Sequence, residues 1–340
     1  MASDVADGEG RDEERKVEDG RRPIEVVHST PSGRGLLTAV LSAYDLPAPL
    51  ECRYWTRDLN DIYLVRTGES RYILRLTGVG RRALADLRFE ADFLLHLHGR
   101  GVAVGTPIAA RDGELIRKAV LPEGLRYATL FTYAPGAPMD LETEDEARRF
   151  GRAVAGLHLA GADFVSRHQR FRIDLPWLLE APFASIDPLL AYRPSDLAYV
   201  HHLAARLKQT LEPVVAGLEP LVCHGDLQGK NAHLGEAGTI TFFDFDGCGQ
   251  SWLAYDLAWC RGAVKDERTW AALLAGYTER RPVAAPDLEA VPLFRPAIRL
   301  WNMGMQLSYA QEWGFRWYGS DDYFDWNLQR LRQWEQANWG

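Results

Sequence analysis

Apolar residues recur along this chain at two periods, and the change from one to the other divides it. Between Cys52 and Leu76 the period is two: Ile62 and Leu64, then Tyr72, Leu74 and Leu76, occupy alternate positions around Thr67-Gly68-Glu69-Ser70. Alternate side chains share one face of a strand, so this predicts a hairpin. A second hairpin is predicted from Glu114–Val120 and Tyr127–Tyr133, turning at Pro122-Glu123-Gly124 and stopped by Ala134-Pro135-Gly136. Elsewhere the spacing is three and four. Leu36, Leu37, Val40, Leu41 and Tyr44 predict a short helix capping the strands, and Leu84, Leu87, Ala91, Leu94 and Leu95 a helix after the first hairpin, with Glu90 on the edge of its stripe. Beyond Gly136 helices dominate. The capping box Thr143-Glu144-Asp145-Glu146 opens one that buries Phe150, Val154 and Leu157, and Leu197, Val200, Leu203, Leu207 and Leu211 mark another. Two more, Phe294–Trp313 and Asp321–Trp339, are rich in Trp and Tyr. Two short apolar runs, Leu221–Cys223 and Thr239–Phe243, interrupt the helical half and read as strands that end in loops. The pattern predicts an α+β chain: a small antiparallel sheet at residues 23–134, then a larger, mainly helical part at 135–340.

Composition narrows this picture. A length of 340 residues with 46% aliphatic and aromatic residues supports two lobes sharing a cleft. Residues 1–22 are polar and charged, with eight acidic and three basic residues before Gly20 and almost nothing apolar, so a disordered acidic tail is expected there. A net charge of −8, with no basic run interleaved with aromatics, argues against a nucleic-acid surface. The four cysteines form no metal spacing and are expected as reduced, buried thiols. With no apolar run of about 18 residues and no hydrophobic signal region near Met1, a cytoplasmic protein without a membrane partner is expected.

The candidate chemistry lies in the loops after the two short strands. Asp226 is followed five residues later by Asn231, and Asp244 stands thirteen beyond that. Asp and Asn after a strand are common turn formers, but three at this spacing suit phosphoryl transfer, which needs a metal to neutralise polyphosphate and a group to position the attacking hydroxyl. Mg²⁺ takes carboxylate or amide oxygens together with phosphates, which Asn231 and Asp244 supply; Asp226 is then left for the hydroxyl. Other motifs fail. Asp244-Phe245-Asp246-Gly247 places its Gly too early for a calcium loop, and Gly225–Asn231 has the wrong glycine spacing for a Walker A loop. Gly78-Val79-Gly80-Arg81-Arg82-Ala83 mimics a dinucleotide fingerprint but follows an antiparallel hairpin.

HGDLQGKN followed by FFDFDG resembles the catalytic and metal loops of the aminoglycoside phosphotransferase and homoserine kinase type II group, whose members have a protein-kinase-like two-lobed fold. The resemblance implies Asp226 as catalytic base, Asn231 and Asp244 as Mg²⁺ ligands, His224 as a brace for the loop, Asp246 as a second acidic contact and Asp256, in Tyr255-Asp256-Leu257-Ala258, as the residue that steadies the catalytic loop. It also implies that Arg75 holds ATP phosphates, that Asn60 lies in the phosphate-covering bend 57–61, and that the backbone of Phe131–Tyr133 meets adenine at a hinge. A carboxylate at Glu90 can reach Arg75 and form a two-pronged pair with it. Gln228, Gly229 and Lys230 depart from the group's usual His-Pro-Gly.

The late aromatics read as core first and an acceptor wall second, and Asp321 and Asp322 would suit a cationic acceptor. His96, His98, His158, His201 and His202 complete no metal set and read as structural. The expected activity is ATP- and Mg²⁺-dependent transfer of the γ-phosphate to a homoserine-like, choline-like or sugar-like alcohol. The alternatives are a Ser/Thr kinase acting on protein or peptide, a non-catalytic nucleotide-binding module, and an antibiotic-resistance phosphotransferase.

Overall fold

The alternating segment folds as an antiparallel sheet in the order β1-β2-β3-β5-β4. Its strands are β1 (Glu51–Arg57), β2 (Asn60–Arg66), β3 (Arg71–Thr77), β4 (Ile116–Leu121) and β5 (Gly124–Thr132). The computed structural model describes residues 24–48, 50–310 and 317–340; the acidic tail predicted at 1–22 lies outside them. Tyr63 pairs with Leu74 and Val65 with Tyr72, while Ile62 pairs with Arg75 and Leu64 with Ile73. The first set packs under α1 (Gly33–Ala39) and the turn after it, against Leu36, Val40, Leu41 and Tyr44. Ile62 and Ile73 instead face the cleft on the other side. The predicted set therefore mixes two faces: Ile62 belongs with Arg75, not with Leu74. Both faces of this sheet are covered, so the apolar content of alternate positions does not tell them apart.

The helix after the first hairpin is α2 (Leu84–Gly99). Leu87, Ala91 and Leu94 are buried as predicted, but Leu95 is exposed, and Phe89, Glu90, Phe93 and Leu97 are buried as well. Phe93 meets Phe164 and Phe245 of the helical part, so α2 is a wedge whose apolar side chains join the larger core although it lies within residues 23–134. Past β5 the chain forms β6 (Ala137–Pro138), which pairs with β8 (Ala232–Leu234), itself paired with β9 (Ile240–Phe242).

The helical part begins at α3 (Glu144–Gly161), where Thr143 and Glu146 form the predicted capping box. It continues with α4 (Leu175–Leu179), α5 (Phe183–Leu190) and α6 (Pro194–Val215). After α6 come β7 (Pro220–Cys223), the β8–β9 hairpin, β10 (Gly249–Trp252), α7 (Leu253–Ala263), α8 (Glu267–Thr278), α9 (Ala285–Ser308) and α10 (Asp321–Trp339). The two predicted short strands, β7 and β9, do not pair with each other; β7 takes β10, with Cys223 opposite Gly249. Helix α9 begins nine residues before the predicted start and passes through Pro292 and Pro296. Proline removes a helical hydrogen bond and usually ends a helix, which is why the pattern before Phe294 reads as a break; burial of Ala290, Val291 and Phe294 sustains it here. Its predicted end, Trp313, lies outside the described residues. All four cysteines are buried free thiols, and no helix among the described residues is long and apolar enough to cross a membrane.

Candidate active site

Strand β7 delivers the chain into the His224–Asn231 loop, and one buried carboxylate fixes the loop's course. Asp256, in the first turn of α7, accepts the backbone N–H of His224 at 2.7 Å and of Gly225 at 3.0 Å. His158 Nε2 lies 3.2 Å from the same carboxylate, and His158 Nδ1 is 2.9 Å from the Tyr277 hydroxyl, to which Arg281 donates in turn at 2.9 Å. Burial works to raise the Asp256 carboxyl but is outweighed by His158, so Asp256 stays below the usual carboxylate range. Burial lowers His158. Gly225 adopts φ +84°, and a Cβ there would sit 2.1 Å from the Gly247 carbonyl oxygen, so only glycine lets this loop cross the Phe243–Gly247 loop so closely.

His224 ties the two loops together. Its Nδ1 accepts the Asp226 N–H at 3.3 Å, which puts the ring proton on Nε2, where it donates to the Phe243 carbonyl at 3.1 Å. Burial lowers this histidine too. The Asp226 carboxylate receives Asn231 Nδ2 on Oδ2 at 2.7 Å and Gln228 Nε2 on Oδ1, and Lys230 Nζ stands 3.8 Å from Oδ2. With its amide nitrogen committed to Asp226, Asn231 keeps its oxygen for a cation. Asp244 ends the β9 segment in the left-handed region, φ +62° and ψ +56°. Its side chain is exposed to the cleft, and no ion pair to it forms among the described residues. The surrounding protein and the charge of Asp246 push its carboxyl up to about 7.

This donor set fits Mg²⁺. It holds an unpaired carboxylate and a spare amide oxygen, and among the described residues no three His, Cys, Asp or Glu converge to form a closed metal site. A cation here must complete its shell with water and phosphate oxygens, as Mg²⁺ does.

The opposite wall comes from the sheet. Arg75 donates Nη1 and Nη2 to the two Glu90 oxygens, each at 2.7 Å, with both side chains buried. Burial works against the Arg75 charge, but Glu90 outweighs it and raises the pKa further. The guanidinium lies 4.9 Å from the Phe131 ring. Asn60 is buried, with an Oδ1 that has no hydrogen-bond partner among the described residues. Asn60, Arg75, Glu90, Phe131, Asp226, Asp244 and Asp246 all line one cavity of about 630 Å³, and Asn231, His224 and Asp256 stand behind its surface.

Three expectations change. Tyr133 does not line the cavity; its ring stacks on Trp55 at 6.1 Å and carries Arg71 at 4.3 Å, while Phe131, Thr132 and Ala134 face the cleft. Asp246 is bound by Arg81 and by Arg82 at 3.2 Å, and these guanidiniums outweigh burial to hold it well below the usual carboxylate range. Asp321 accepts from the Tyr192 hydroxyl at 2.7 Å and Arg193 at 3.3 Å on the surface; neither it nor Asp322 lines the cavity. The late aromatics divide: Trp301 and Tyr318 line the cavity, whereas Tyr323 and Phe324 are core. Sequence reasoning missed Arg81 and Arg82, whose only signal was the Gly78–Ala83 run set aside as a false fingerprint. It also left the His158 contact with Asp256 unseen.

A family model for the phosphotransferase enzyme family matches residues 58–291. The chain belongs to that family. An uncharacterized protein of Deinococcus radiodurans is 36% identical to this phosphotransferase over 325 residues, covering 93% of this chain and 94% of the relative. Homoserine kinase of Xanthobacter autotrophicus is 31% identical over 267 residues, covering 75% and 79%. Among solved structures, an amicoumacin kinase in complex with AMP-PNP and Ca²⁺ superposes with TM-score 0.71 at 20% identity, covering 90% of this chain and 93% of that one. A microcompartment-associated aminopropanol kinase gives 0.66 at 23%, covering 86% and 93%. The phosphotransferase thus has the kinase-like α+β fold that the sequence predicts.

Proposed function

We propose that this phosphotransferase moves the γ-phosphate of ATP to a hydroxyl of a small molecule, homoserine-like, choline-like or sugar-like. One observation carries the reading: the Asp226 and Asp244 loops face the Arg75–Glu90 pair across a single cavity. Asp226 orients the acceptor hydroxyl and takes its proton as the oxygen attacks the γ-phosphorus; the bond to the bridging oxygen breaks and ADP leaves. The Asn231 side-chain oxygen and Asp244 hold Mg²⁺, which neutralises charge on the phosphates when bound. Arg75, held rigid by Glu90, contacts the phosphates, and Asn60 contributes from the bend beside it. Phe131 and the backbone after it form the adenine side of the cleft. Asp256 and His224 position the loop without touching substrate. Four buried free thiols suit a reducing compartment such as the cytoplasm.

The test is Mg²⁺-dependent ATP consumption across a panel of small alcohols, with Asp226→Asn alongside. The variant is expected to lose transfer while still binding ATP, and retained turnover would remove the role given to Asp226. Asp244→Ala is expected to weaken nucleotide binding by calorimetry in the presence of Mg²⁺ and to leave metal-free binding nearly unchanged.

A further inference from the structure

Two half-buried arginines of α9 have no carboxylate beside them. Arg295 and Arg299 stand one turn apart. Arg295 donates to the Ala258 carbonyl of α7 at 3.1 Å and Arg299 to the Asn327 side-chain oxygen of α10 at 3.2 Å, both neutral acceptors. Arg330 of α10 joins them and donates to the Trp326 carbonyl at 3.2 Å. The charges that act on the α9 pair are positive: burial and Arg261 push Arg295 down to about 10, and burial, Arg295 and Arg330 push Arg299 down to about 10. Arg261 is itself held by Glu267, while Asp325 and Glu335 of α10 are taken by Arg193 and Arg206. Arg295, Arg299 and Arg330 are left as three charges that no carboxylate offsets among the described residues. Elsewhere in this chain a buried guanidinium has its acid: Arg75 has Glu90, Arg126 has Asp61 and Arg281 has Glu219. A desolvated charge without a counter-charge is costly unless an anion joins it.

The fold provides seats for these guanidiniums. A Cβ on Gly262 of α7 would sit 1.6 Å from Arg295 Nη1, so the bare backbone there makes the space in which Arg295 lies. Arg299 and Arg330 lie against the Trp326 ring at 4.9 and 3.9 Å. Trp326 is 42% exposed, so a solute reaches this end of the group. Along α9, Arg295, Arg299, Asn302 and Gln306 recur at spacings of four, three and four, which puts them on one stripe of the helix. Asn302 and Gln306 line the cavity of the candidate active site; the two arginines do not. At a rise of about 1.5 Å per residue, Arg299 stands about 4.5 Å along the helix axis from Asn302, so the group adjoins the cavity without belonging to it.

We infer that Arg295, Arg299 and Arg330 form a second anion site, outside the cavity, that binds a phosphate group. One guanidinium fork already satisfies a carboxylate, whereas a phosphate carries close to two charges and has oxygens enough to accept from several forks at once. The group belongs either to an acceptor that is already phosphorylated, whose other end passes Asn302 into the cavity, or to a separate phosphate-bearing effector. Binding at this site stands apart from the phosphotransfer reading; only the choice between the two sources uses it.

Inorganic phosphate, titrated calorimetrically onto the full chain without metal and with or without ADP, tests it. One saturable site is expected, kept when ADP is present and weakened about tenfold or more by Arg299→Gln, the range of a charged hydrogen bond. Arg330→Gln, at an exposed position, should weaken it in the same direction and decides the matter should Arg299→Gln fail to fold. Replacing chloride by phosphate at equal ionic strength should also raise the melting temperature of the parent more than that of Arg330→Gln. No saturable binding, displacement of phosphate by ADP, or the same affinity and the same melting increment in the variants overturns the inference. Glycerol 3-phosphate against glycerol, each assayed with Mg²⁺–ATP, then separates the sources. A lower KM for the phosphorylated member, lost in Arg330→Gln, assigns the group to the acceptor; equal use of the two, with inorganic phosphate changing the turnover of both, assigns it to an effector. If phosphate binds as expected while no alcohol stimulates ATP consumption, the phosphotransfer reading fails and this site stands.

Discussion

At the scale of single residues, the cavity is built from charges that are safe only in company. Arg75 and Glu90 are both buried, and each is tolerable because the other supplies two hydrogen bonds in the plane of its fork. Glu90→Ala therefore strands a buried guanidinium; a loss of about 3–5 kcal/mol in urea unfolding is expected, together with a higher KM for ATP. An unfolding midpoint unchanged from the parent would show that the pair adds nothing. Asp256 works on backbone rather than on charge. Because the N–H groups of His224 and Gly225 end on it, Asp256→Ala leaves both without their acceptor, costing about 1–3 kcal/mol for each buried group left unsatisfied. The expected signature is a fall in kcat with the KM for ATP little changed, read from steady-state kinetics beside a melting curve.

At the scale of elements, the site depends on two loops passing within contact distance. The His224–Asn231 loop follows β7 and the Phe243–Gly247 loop follows β9, and the two strands belong to different small sheets. Their relative position is set by His224, which bonds to the Phe243 carbonyl, and by the missing side chain at Gly225. Gly225→Ala is expected to force them apart, because the added carbon meets the Gly247 carbonyl and the φ of +84° is strained for any L side chain. Lost Mg²⁺–nucleotide binding by calorimetry, with a lower melting temperature, is the expected result; wild-type affinity in this variant would show that the crossing is not critical. Helix α2 links the two halves in a similar way, with Glu90 turned to the sheet and Phe93 to the helical core.

At the scale of the whole molecule, acid should loosen the fold before it titrates ordinary carboxylates. Burial lowers His158 and His224 below their ordinary value of 6.5. A folded pKa below the unfolded one means that the unfolded chain binds the extra protons. The stability held with both rings neutral is therefore complete above about 6.5 and is lost as pH falls through that value toward the folded pKa. Each ring contributes a slope of about 1.4 kcal/mol per pH unit within its window; Asp244, raised to about 7, takes up its proton in the fold as pH falls and offsets one ring, so in an Asp244→Asn protein, which lacks that offset, urea midpoints should drop clearly between pH 6.5 and pH 5.5. A flat profile over that range would mean that one or both rings are charged in the fold. Replacing His158 by Gln should reduce the slope, since an amide can bridge Tyr277 and Asp256 without titrating.

Patterns along the chain mark its elements and the order of the candidate chemistry. Alternation around Thr67–Ser70 made a hairpin, Thr143 and Glu146 capped a helix, and Asp226, Asn231 and Asp244 stood in loops after apolar strands; all of these are local patterns, readable because they depend on neighbours along the chain. The closed fold sets which face of the hairpin is the cleft, since alternation around Ile62 and Tyr63 looks alike when both faces carry apolar side chains. It alone paired β7 with β10, carried α9 through two prolines, turned Tyr133 away from the cleft, and set His158 under the His224–Asn231 loop, 66 residues further on reckoned from His158 to His224. It also gave Asp246 to Arg81 and Arg82, more than 160 residues earlier in the chain. Contacts of that kind arise from how the elements close on one another, and no periodicity along the chain records them.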